Sequence, residues 1–397
     1  VILTGEFAYK VKKPVDFGFL DFSTLAKRRR CCEEELRLNK SLAPTVYLAV
    51  VPVTGNQQHP ELGGDGAVID YAVKMRQFPQ QAQLDRMLAA GRLDTKHVDA
   101  VARLIADFHQ KAARAAADTT YGEPETVYQP VAENFSQIRE HLGGTRFEAG
   151  LARLEAWSRV EYQRLLPVIT QRKRDGFIRE CHGDLHLRNL AWYQGAPIAF
   201  DCLEFNASLR WIDTVSDIAF LVMDLYDRQQ SALAQSLLNR YLEHCGDYEG
   251  LALLPFYVAY RALVRAKVEA IRAGQPGVDQ QEQRDALTEC SNYLELAAAC
   301  MPPHKPRLVI MRGLSGSGKS TIAAALMQQP GMIRIRSDVE RKRLFADPDG
   351  QGVQHLAAGS GIDAGIYSSE ASAQTYRRLA RLAAAVMDAG YTAIILS

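Results

Sequence analysis

The sequence predicts an α+β domain of two lobes, a small strand-rich lobe and a large helical lobe, followed by a partial α/β domain. Residues 1–79 contain strand-like runs broken by one helix, and residues 95–300 carry long alanine- and leucine-rich helical patterns. Residues 307–397 place a strand, a glycine loop and a helix in succession, the order of an α/β unit. The 397 residues are enough for two or three domains of roughly 100–200 residues each.

Composition excludes several classes of protein. The 47 Lys and Arg against 46 Asp and Glu leave a net charge of +1, which argues against coating of nucleic acid or anionic membrane through overall charge. No apolar run approaches the ~20 residues that cross a bilayer. The seven cysteines include no CxxC pair, which disfavours a disulfide framework or a zinc site. We therefore expect a cytoplasmic protein with no membrane partner.

The elements of the first lobe follow from local patterns. The candidate strands are VILTGEFAYKVKKPV, VYLAVVPV and AVIDYAVKMRQF. A helix over roughly 23–42 separates the first two, with Ser23 as its cap. Both ends of the chain, VILTGEFAYKV and YTAIILS, look like strands already under way, whereas domain boundaries fall in loops. We therefore expect the chain to be a fragment of a longer protein.

A linker is predicted at residues 301–306, MPPHKP, because three prolines in six positions can continue neither helix nor sheet. The predicted domains are therefore 1–300 and 307–397, the first cut at its amino end and the second at its carboxyl end.

The glycine loop after this linker, GLSGSGKS at 313–320, matches GxxxxGK[ST] and lies between a predicted strand and a predicted helix. Glycines let backbone N–H groups wrap a phosphate, Lys319 supplies charge to the outer phosphates, and Ser320 offers a hydroxyl to Mg²⁺. The sequence thus predicts an ATP and Mg²⁺ site. Its predicted residues are Gly313, Ser315, Gly316, Ser317, Gly318, Lys319, Ser320 and Thr321.

The next strand, IRIR, ends at Ser337 and Asp338. The spacing of Asp338 and Arg341 resembles the DxxR of small-molecule and polynucleotide kinases built on the P-loop fold. Residues 307–397 resemble the amino-terminal part of such a kinase domain, near the polynucleotide kinase, gluconate kinase and zeta-toxin relatives. The resemblance implies that Asp338 accepts the proton of the attacking hydroxyl and that Arg341 is a weaker candidate for substrate contact. It also implies that the lid lies beyond residue 397, without which the domain would be inactive. The alternative for Asp338 is a helix cap.

A second motif, HGDLHLRN at 182–189, has the HxDxxxxN spacing of a kinase catalytic loop, and Asp201 follows at the end of the apolar strand APIAF. Phosphoryl transfer needs a carboxylate beside the acceptor hydroxyl, and an amide and a second carboxylate on the magnesium that bridges the phosphates. The predicted base is Asp184, and the predicted metal ligands are Asn189 and Asp201.

Upstream, FAYK at 7–10 resembles the VAIK lysine strand, and the following helix lies where a kinase places the glutamate that orients this lysine. Lys10 is favoured, and Lys12 and Lys13 stay open. Within the run of three glutamates Glu35 is favoured, because the leucines beside it indicate contact with the core.

Together, residues 1–300 resemble the aminoglycoside phosphotransferase and choline kinase family, the small-molecule branch of the protein-kinase-like fold, which has HGD where protein kinases have HRD. The glycine-rich phosphate loop of the family would lie before Val1, and Cys202 and Leu203 replace the FG of DFG. The tandem order resembles a bacterial family of bifunctional predicted kinases. The resemblance implies a protein-kinase-like domain followed by a partial P-loop NTPase domain, with transfer of the γ-phosphoryl of ATP to a hydroxyl acceptor, in the first place a small molecule.

Several alternatives stay open at this point. The chain could be a nucleotide-sensing regulator, or a nucleic-acid 5′-hydroxyl kinase through the P-loop domain, although the three charges of RKR at 341–343 do not decide this. His182, Asp184 and His186 could bind the metal of a hydrolase, which leaves Asn189 and Asp201 unexplained. An acidic series could attract a cationic acceptor or form a solvated helix face, and one member, Asp217, could brace the catalytic loop. The series is Asp213, Asp217, Asp224 and Asp227.

Overall fold

The structure is a computed structural model, and it describes residues 1–16, 21–142, 144, 146–275, 277–301, 305–314, 316–345, 366 and 368–396. The chain divides into two compact units. The first comprises Val1–Pro130 and Ile169–Asp224, and the second comprises Val131–Val168 and Leu225–Ser397. Residues 302–304 of the predicted linker lie outside the described residues. The domain boundaries at 1–300 and 307–397 stay a prediction.

The first unit begins with a five-stranded antiparallel sheet in the order β1-β2-β5-β3-β4. Its strands are β1 (Ile2–Leu3), β2 (Phe7–Val11), β3 (Tyr47–Gly55), β4 (Pro60–Leu62) and β5 (Val68–Arg76). The single first strand predicted from the sequence is wrong, because a turn closed by the hydrogen bond from the Thr4 N–H to the Phe7 carbonyl (2.9 Å) splits it. β4 was not predicted.

Helix α1 (Leu25–Asn39) follows β2 and packs against the sheet through Cys32 and Leu36. It is shorter than the predicted 23–42, and Thr24 rather than Ser23 caps it. The Thr24 side chain accepts from the Lys27 N–H at 3.3 Å, whereas the Ser23 hydroxyl donates to Asp21 at 2.6 Å and so turns away from the helix.

The remaining elements up to residue 227 precede and follow the catalytic-loop motif along the chain. The helices are α2 (Leu84–Ala89), α3 (Thr95–Lys111), α4 (Pro124–Leu142), α5 (Glu148–Arg174) and α6 (Thr214–Asp227). The strands are β6 (Ile178–Glu180), β7 (Leu190–Tyr193), β8 (Ala196–Ala199) and β9 (Trp211–Asp213). β6 pairs with β9 and β7 with β8, both antiparallel. The segment 182–189 therefore connects two short antiparallel strand pairs, which hold both of its ends.

The second unit carries helices α7 (Ser231–Cys245), α8 (Leu254–Ala273) and α9 (Gln280–Ala299), and then a parallel α/β domain. That domain consists of β10 (Leu308–Met311), α10 (Lys319–Leu326), β11 (Met332–Arg336), α11 (Ser337–Leu344), α12 (Ser369–Asp388) and β12 (Thr392–Leu396). Its described strands pair in parallel in the order β10-β12-β11, around the buried Ile335, Ala393 and Ile394. Parallel strands need such helical crossovers. The predicted fold class is confirmed. Among the described residues, no helix is both long and apolar enough to span a bilayer.

Candidate active sites

The first site begins with the pair predicted from FAYK and the glutamate run. β2 places Lys10 and α1 places Glu35, whose side chain is 0% exposed. The Lys10 Nζ lies 2.9 Å from the Glu35 Oε1 and also donates to the Asp201 carboxylate. Burial acts to lower the pKa of Lys10, but the facing carboxylates, Glu35 first and then Asp201, outweigh it and raise this pKa above its usual value. The ammonium is therefore held charged.

Lys12 joins the same cluster. Its Nζ lies 2.5 Å from the Glu35 Oε2 and donates to the Glu204 carboxylate, and its side chain is buried. Lys12 directly follows β2 and, two residues after Lys10, continues the strand face of Lys10, which is the sequence signal that could have placed both on Glu35. Of the three candidate lysines, Lys10 and Lys12 thus bind Glu35, whereas Lys13 lies on the wall of the adjoining cavity. Glu204 was missed, because its contact with Lys12 spans most of the unit.

The catalytic-loop motif is organised by a buried carboxylate. Both oxygens of Asp217, 0% exposed, accept backbone N–H groups, from His182 at 3.1 Å and from Gly183 at 2.9 Å. Gly183 has φ +84°, a left-handed conformation that favours glycine. Within the loop, the Asn189 Nδ2 donates to the Asp184 carboxylate at 3.0 Å and to the Asp184 carbonyl at 2.9 Å. The structure therefore brings the predicted base and one predicted metal ligand together.

His182 uses both of its ring nitrogens inside the fold. Its Nε2 lies 2.9 Å from the Phe200 carbonyl, and its Nδ1 lies 3.3 Å from the Asp184 N–H. Burial lowers the pKa of this imidazole, against the raising effect of the Asp217 and Asp184 carboxylates. These contacts define a neutral ring that donates from Nε2 and accepts at Nδ1. Because both nitrogens bond to the backbone, neither is available as a metal ligand, which argues against the hydrolase hypothesis.

Asp201 occupies a strained backbone position with φ +63°, uncommon for a residue other than glycine. Its N–H donates to the Tyr47 hydroxyl at 3.1 Å, and the next N–H, of Cys202, donates to the Asn39 side chain at 2.9 Å. Elements β3 and α1 therefore hold the loop from outside and stabilise a conformation that would otherwise cost about 1–3 kcal/mol.

Two cavities meet at Lys10 and Asp201. One, of about 230 Å³, is largely apolar, and its lining includes Ala8, Val46, Met75, Phe78 and Phe200. The other, of about 470 Å³, is called the polar cavity here for the charged side chains in its lining, which include Lys12, Lys13, Asp184 and Glu204. The two cavities share the ion pair of Lys10 and Asp201. One apolar and one charged cavity, joined in this way, suit a ligand with an apolar end and a charged end.

Three members of the acidic series neither line an open pocket for a cationic acceptor nor form a solvated helix face. Asp213 accepts two bonds from the Arg172 guanidinium (2.7 and 2.9 Å), and Asp224 accepts from the Leu187 N–H at 2.9 Å. With Asp217, these are buried carboxylates bonded inside the fold. The brace suggested for Asp217 agrees with its contacts.

The second site lies at the carboxyl end of β10. Gly318, with φ +84°, caps α10, and Lys319 begins that helix. The Lys319 Nζ donates to the Gly313 carbonyl at 2.5 Å and to the Leu314 carbonyl at 2.9 Å. A cavity of about 430 Å³ is lined by Gly316, Ser317, Gly318, Lys319, Ser320, Thr321, Arg336, Asp338 and Leu396. Ser315 lies outside the described residues. Apart from Gly313 and Ser315, the predicted phosphate-binding residues thus line one cavity.

Asp338 faces this cavity beside an arginine that the sequence analysis missed. The Arg336 guanidinium donates to both Asp338 oxygens, at 2.8 and 3.2 Å. Arg341 is not brought to the cavity, since it donates to the Ile366 carbonyl at 2.7 Å and to the Ser372 hydroxyl at 3.2 Å. The helix-cap alternative is wrong, because Asp338 lies inside the first turn of α11 and the cap position is Arg336. The alternation IRIR could have indicated Arg336, two residues before Asp338.

Comparison with known proteins matches two family models to this chain. The model described as the phosphotransferase enzyme family matches residues 28–254, more than half of the chain. The chain belongs to the phosphotransferase enzyme family. A model described as an AAA domain matches residues 308–396. The protein is an ATP-dependent phosphotransferase that carries a second, kinase-like domain, and the resemblance drawn from HGDLHLRN and GLSGSGKS is confirmed.

The relatives include uncharacterized proteins of Mycobacterium tuberculosis and Mycobacterium bovis, each 31% identical over 396 residues, covering 100% of this chain and 76% of the relative. Among solved structures, an ethanolamine kinase of Plasmodium vivax matches 72% of this chain and 75% of its own, at 9% identity and a TM-score of 0.42. A putative aminoglycoside phosphotransferase of Ralstonia eutropha matches 75% and 88%, at 14% identity and a TM-score of 0.42.

Proposed function

We propose that the first unit transfers the γ-phosphoryl of ATP to the hydroxyl of a small molecule. The observation that carries this is the convergence of the Lys10, Glu35 and Asp201 cluster and of Asp184 on one polar cavity. The acceptor hydroxyl gives its proton to the Asp184 carboxylate while its oxygen bonds to the γ-phosphorus. The bond from that phosphorus to the bridging oxygen breaks, and ADP leaves with the electron pair.

Asp201, where the two cavities meet, and Asn189, on the catalytic loop, carry oxygen donors that fit a magnesium ion. Asp201, with 46% of its side chain exposed on the polar cavity, offers carboxylate oxygens. Asn189 bonds to Asp184 through Nδ2, so Oδ1 is the atom of its amide that suits a metal. Oxygen ligands are those that Mg²⁺ prefers. When bound, Mg²⁺ would neutralise charge on the phosphates, and Lys10 would turn from Asp201 to them while Glu35 keeps it oriented.

The polar cavity favours a small acceptor. Its volume of about 470 Å³ falls in the range of small-molecule sites, and its walls carry cations and carboxylates that can orient a polar molecule. The net charge of +1 gives no general attraction to nucleic acid. None of the seven cysteines, all within the described residues, forms a disulfide, which supports the cytoplasm as its compartment.

For the second domain we propose another Mg²⁺ and ATP site, on which Lys319 and Ser320 bind phosphate and metal and Asp338 serves the acceptor hydroxyl. The cavity shared by Lys319, Ser320 and Asp338 supports this. To reach a phosphate, Lys319 must leave the Gly313 and Leu314 carbonyls. Its ammonium then exchanges neutral carbonyl acceptors for charged phosphate oxygens, which form stronger hydrogen bonds.

The experiment compares Asp184→Ala with the wild type, measuring Mg²⁺-dependent ATP consumption against pooled hydroxyl-bearing metabolites and nucleic-acid ends. Turnover should fall by about 10²- to 10⁴-fold while Mg·ATP binding stays, because the base acts in the chemical step. Asp118→Ala, an exposed aspartate of the same unit that lines neither first-site cavity, is the matched control.

The other outcomes separate the alternatives. Turnover on nucleic-acid ends that depends on Lys319 would favour the 5′-hydroxyl kinase. Mg·ATP binding without turnover in any pool would favour the nucleotide-sensing regulator. Turnover unchanged by Asp184→Ala would remove this residue from the mechanism.

A further inference from the structure

Within the second unit, helix α7 lies against the strand that leads to Asp338. The Asn239 side chain on α7 accepts from the Arg334 N–H at 2.7 Å and donates to the Met332 carbonyl at 2.9 Å. One amide thus satisfies a donor and an acceptor of β11, as a neighbouring strand would. Residue 239 lies within the phosphotransferase family match and β11 lies within the AAA domain match. The two family regions are therefore joined at the backbone of this strand.

One turn further along α7, Glu243 binds two arginines of β11. Its Oε2 lies 2.5 Å from an Arg334 nitrogen and its Oε1 lies 2.8 Å from an Arg336 nitrogen, while Arg240 of the same helix approaches Oε2 at 3.5 Å. Burial acts to raise the pKa of Glu243, but the arginines, Arg334 first, outweigh it and lower this pKa. Glu243 is therefore an ionised carboxylate whose two oxygens fix residues i and i+2 of one strand face.

Arg336 passes this anchoring on to the cavity. One end of its guanidinium binds Glu243, and the other end binds both oxygens of Asp338. Because the guanidinium is planar and rigid, fixing the end that binds Glu243 also fixes the direction of the end that binds Asp338. The second end of the α11 segment is also tied to α7, since Arg343 donates to the Glu243 carbonyl at 2.6 Å.

We propose that Glu243 is a positioning residue of the second site, which holds Arg336 in the orientation that fixes Asp338 on the wall of the P-loop cavity. The inference rests on the proposed role of Asp338 toward the acceptor. Asp338 has a half-exposed side chain, and among the described contacts its bonds come from Arg336. Without Glu243 the bonded pair of Arg336 and Asp338 loses its anchor on α7, and small misplacements of a reacting group cost large factors in rate. The second site thus includes a helix of the phosphotransferase region.

The test uses the full chain with Glu243→Gln. The matched control is Glu249→Gln, a glutamate of the same unit that also approaches an arginine of the AAA region, Arg381 at 4.0 Å, with both side chains exposed. We expect faster amide hydrogen exchange at residues 337–344. We also expect a fall of about 10- to 100-fold in the kcat of Lys319-dependent ATP turnover, with KM for ATP within about twofold. The control should show neither change.

A second variant separates positioning from general stability. Arg336→Lys keeps a charge for Glu243 but loses the fork on Asp338. We expect it to unfold at nearly the wild-type temperature and to lose kcat as Glu243→Gln does. If Glu243→Gln no longer unfolds cooperatively, Arg336→Lys is the variant that tests positioning.

Unchanged exchange and unchanged kcat in Glu243→Gln would overturn the proposal, as would full kcat in Arg336→Lys. A wild-type protein with no Lys319-dependent turnover would instead remove the proposed activity of the second site. Exchange at residues 337–344 would still decide whether Glu243 positions this segment.

Discussion

The two candidate sites hold their lysines by opposite means. In the first, Glu35 is 0% exposed and binds Lys10 and Lys12 together, so the lysine that we propose to face phosphate belongs to a buried ion-pair network. In the second, Lys319 donates to exposed loop carbonyls, and Asp338 is half exposed. Buried charges must be paired, whereas exposed ones are satisfied by water. Damage to the first site should therefore appear in stability, and damage to the second in ligand binding.

Glu35→Gln is the strongest test of this difference. It should lower the free energy of unfolding by about 3 kcal/mol, the low end for a broken buried pair, because Lys10 and Lys12 keep Asp201 and Glu204. Urea denaturation measures this change. Glu33→Gln, on the same helix but in an exposed pair with Arg29, should stay close to the wild type. Equal losses in the two variants would contradict a stabilising buried network.

Lys319→Ala tests the opposite side of the comparison. The affinity of the second site for Mg·ATP should fall about 10-fold or more, because a charged hydrogen bond to phosphate is lost. The unfolding midpoint should not move, since the bonds of Lys319 in the structure are exposed. Two-site nucleotide titration and thermal unfolding measure the two quantities. Lys342→Ala, an exposed lysine off the cavity, is the control. A fall in stability with unchanged affinity for Mg·ATP would contradict the claim that Lys319 serves ligand binding rather than stability.

In both sites, the residues that could be predicted from the sequence lie close together in the chain. The loops HGDLHLRN and GLSGSGKS each place their chemistry within about eight neighbouring residues, so Asp184, Asn189 and Lys319 could be named from spacing alone. The fold class followed from the same local periods, strand-like, then helical, then strand, loop and helix.

The parts that could not be predicted depend on contacts between distant residues. Glu204 meets Lys12, and Glu243 meets Arg336, across 192 and 93 positions of the chain. No local pattern carries such pairings. The spacing from Asp338 suggests Arg341 as a weaker candidate for substrate contact, but its side chain donates to Ser372 instead. Only the strand alternation that places Lys12 beside Lys10, and Arg336 before Asp338, offered a signal.

The smallest expected effect concerns His182, which the buried first site holds neutral. Its pKa is lowered in the folded protein, so below about pH 6.5 the unfolded chain binds a proton that the folded chain does not. Stability is therefore present above that pH and is lost as the pH falls, by at most about 1.4 kcal/mol per pH unit. Urea denaturation between pH 7 and pH 5 measures this slope.

His182→Gln should remove that part of the slope, whatever it does to stability at pH 7, because glutamine does not titrate. His59→Gln, an exposed histidine of the same unit, should keep the wild-type slope. An unchanged slope in His182→Gln would mean that the imidazole takes up its proton inside the fold. The Nδ1 contact with the Asp184 N–H would then have to break, and the loop that carries the proposed base would have to open with it.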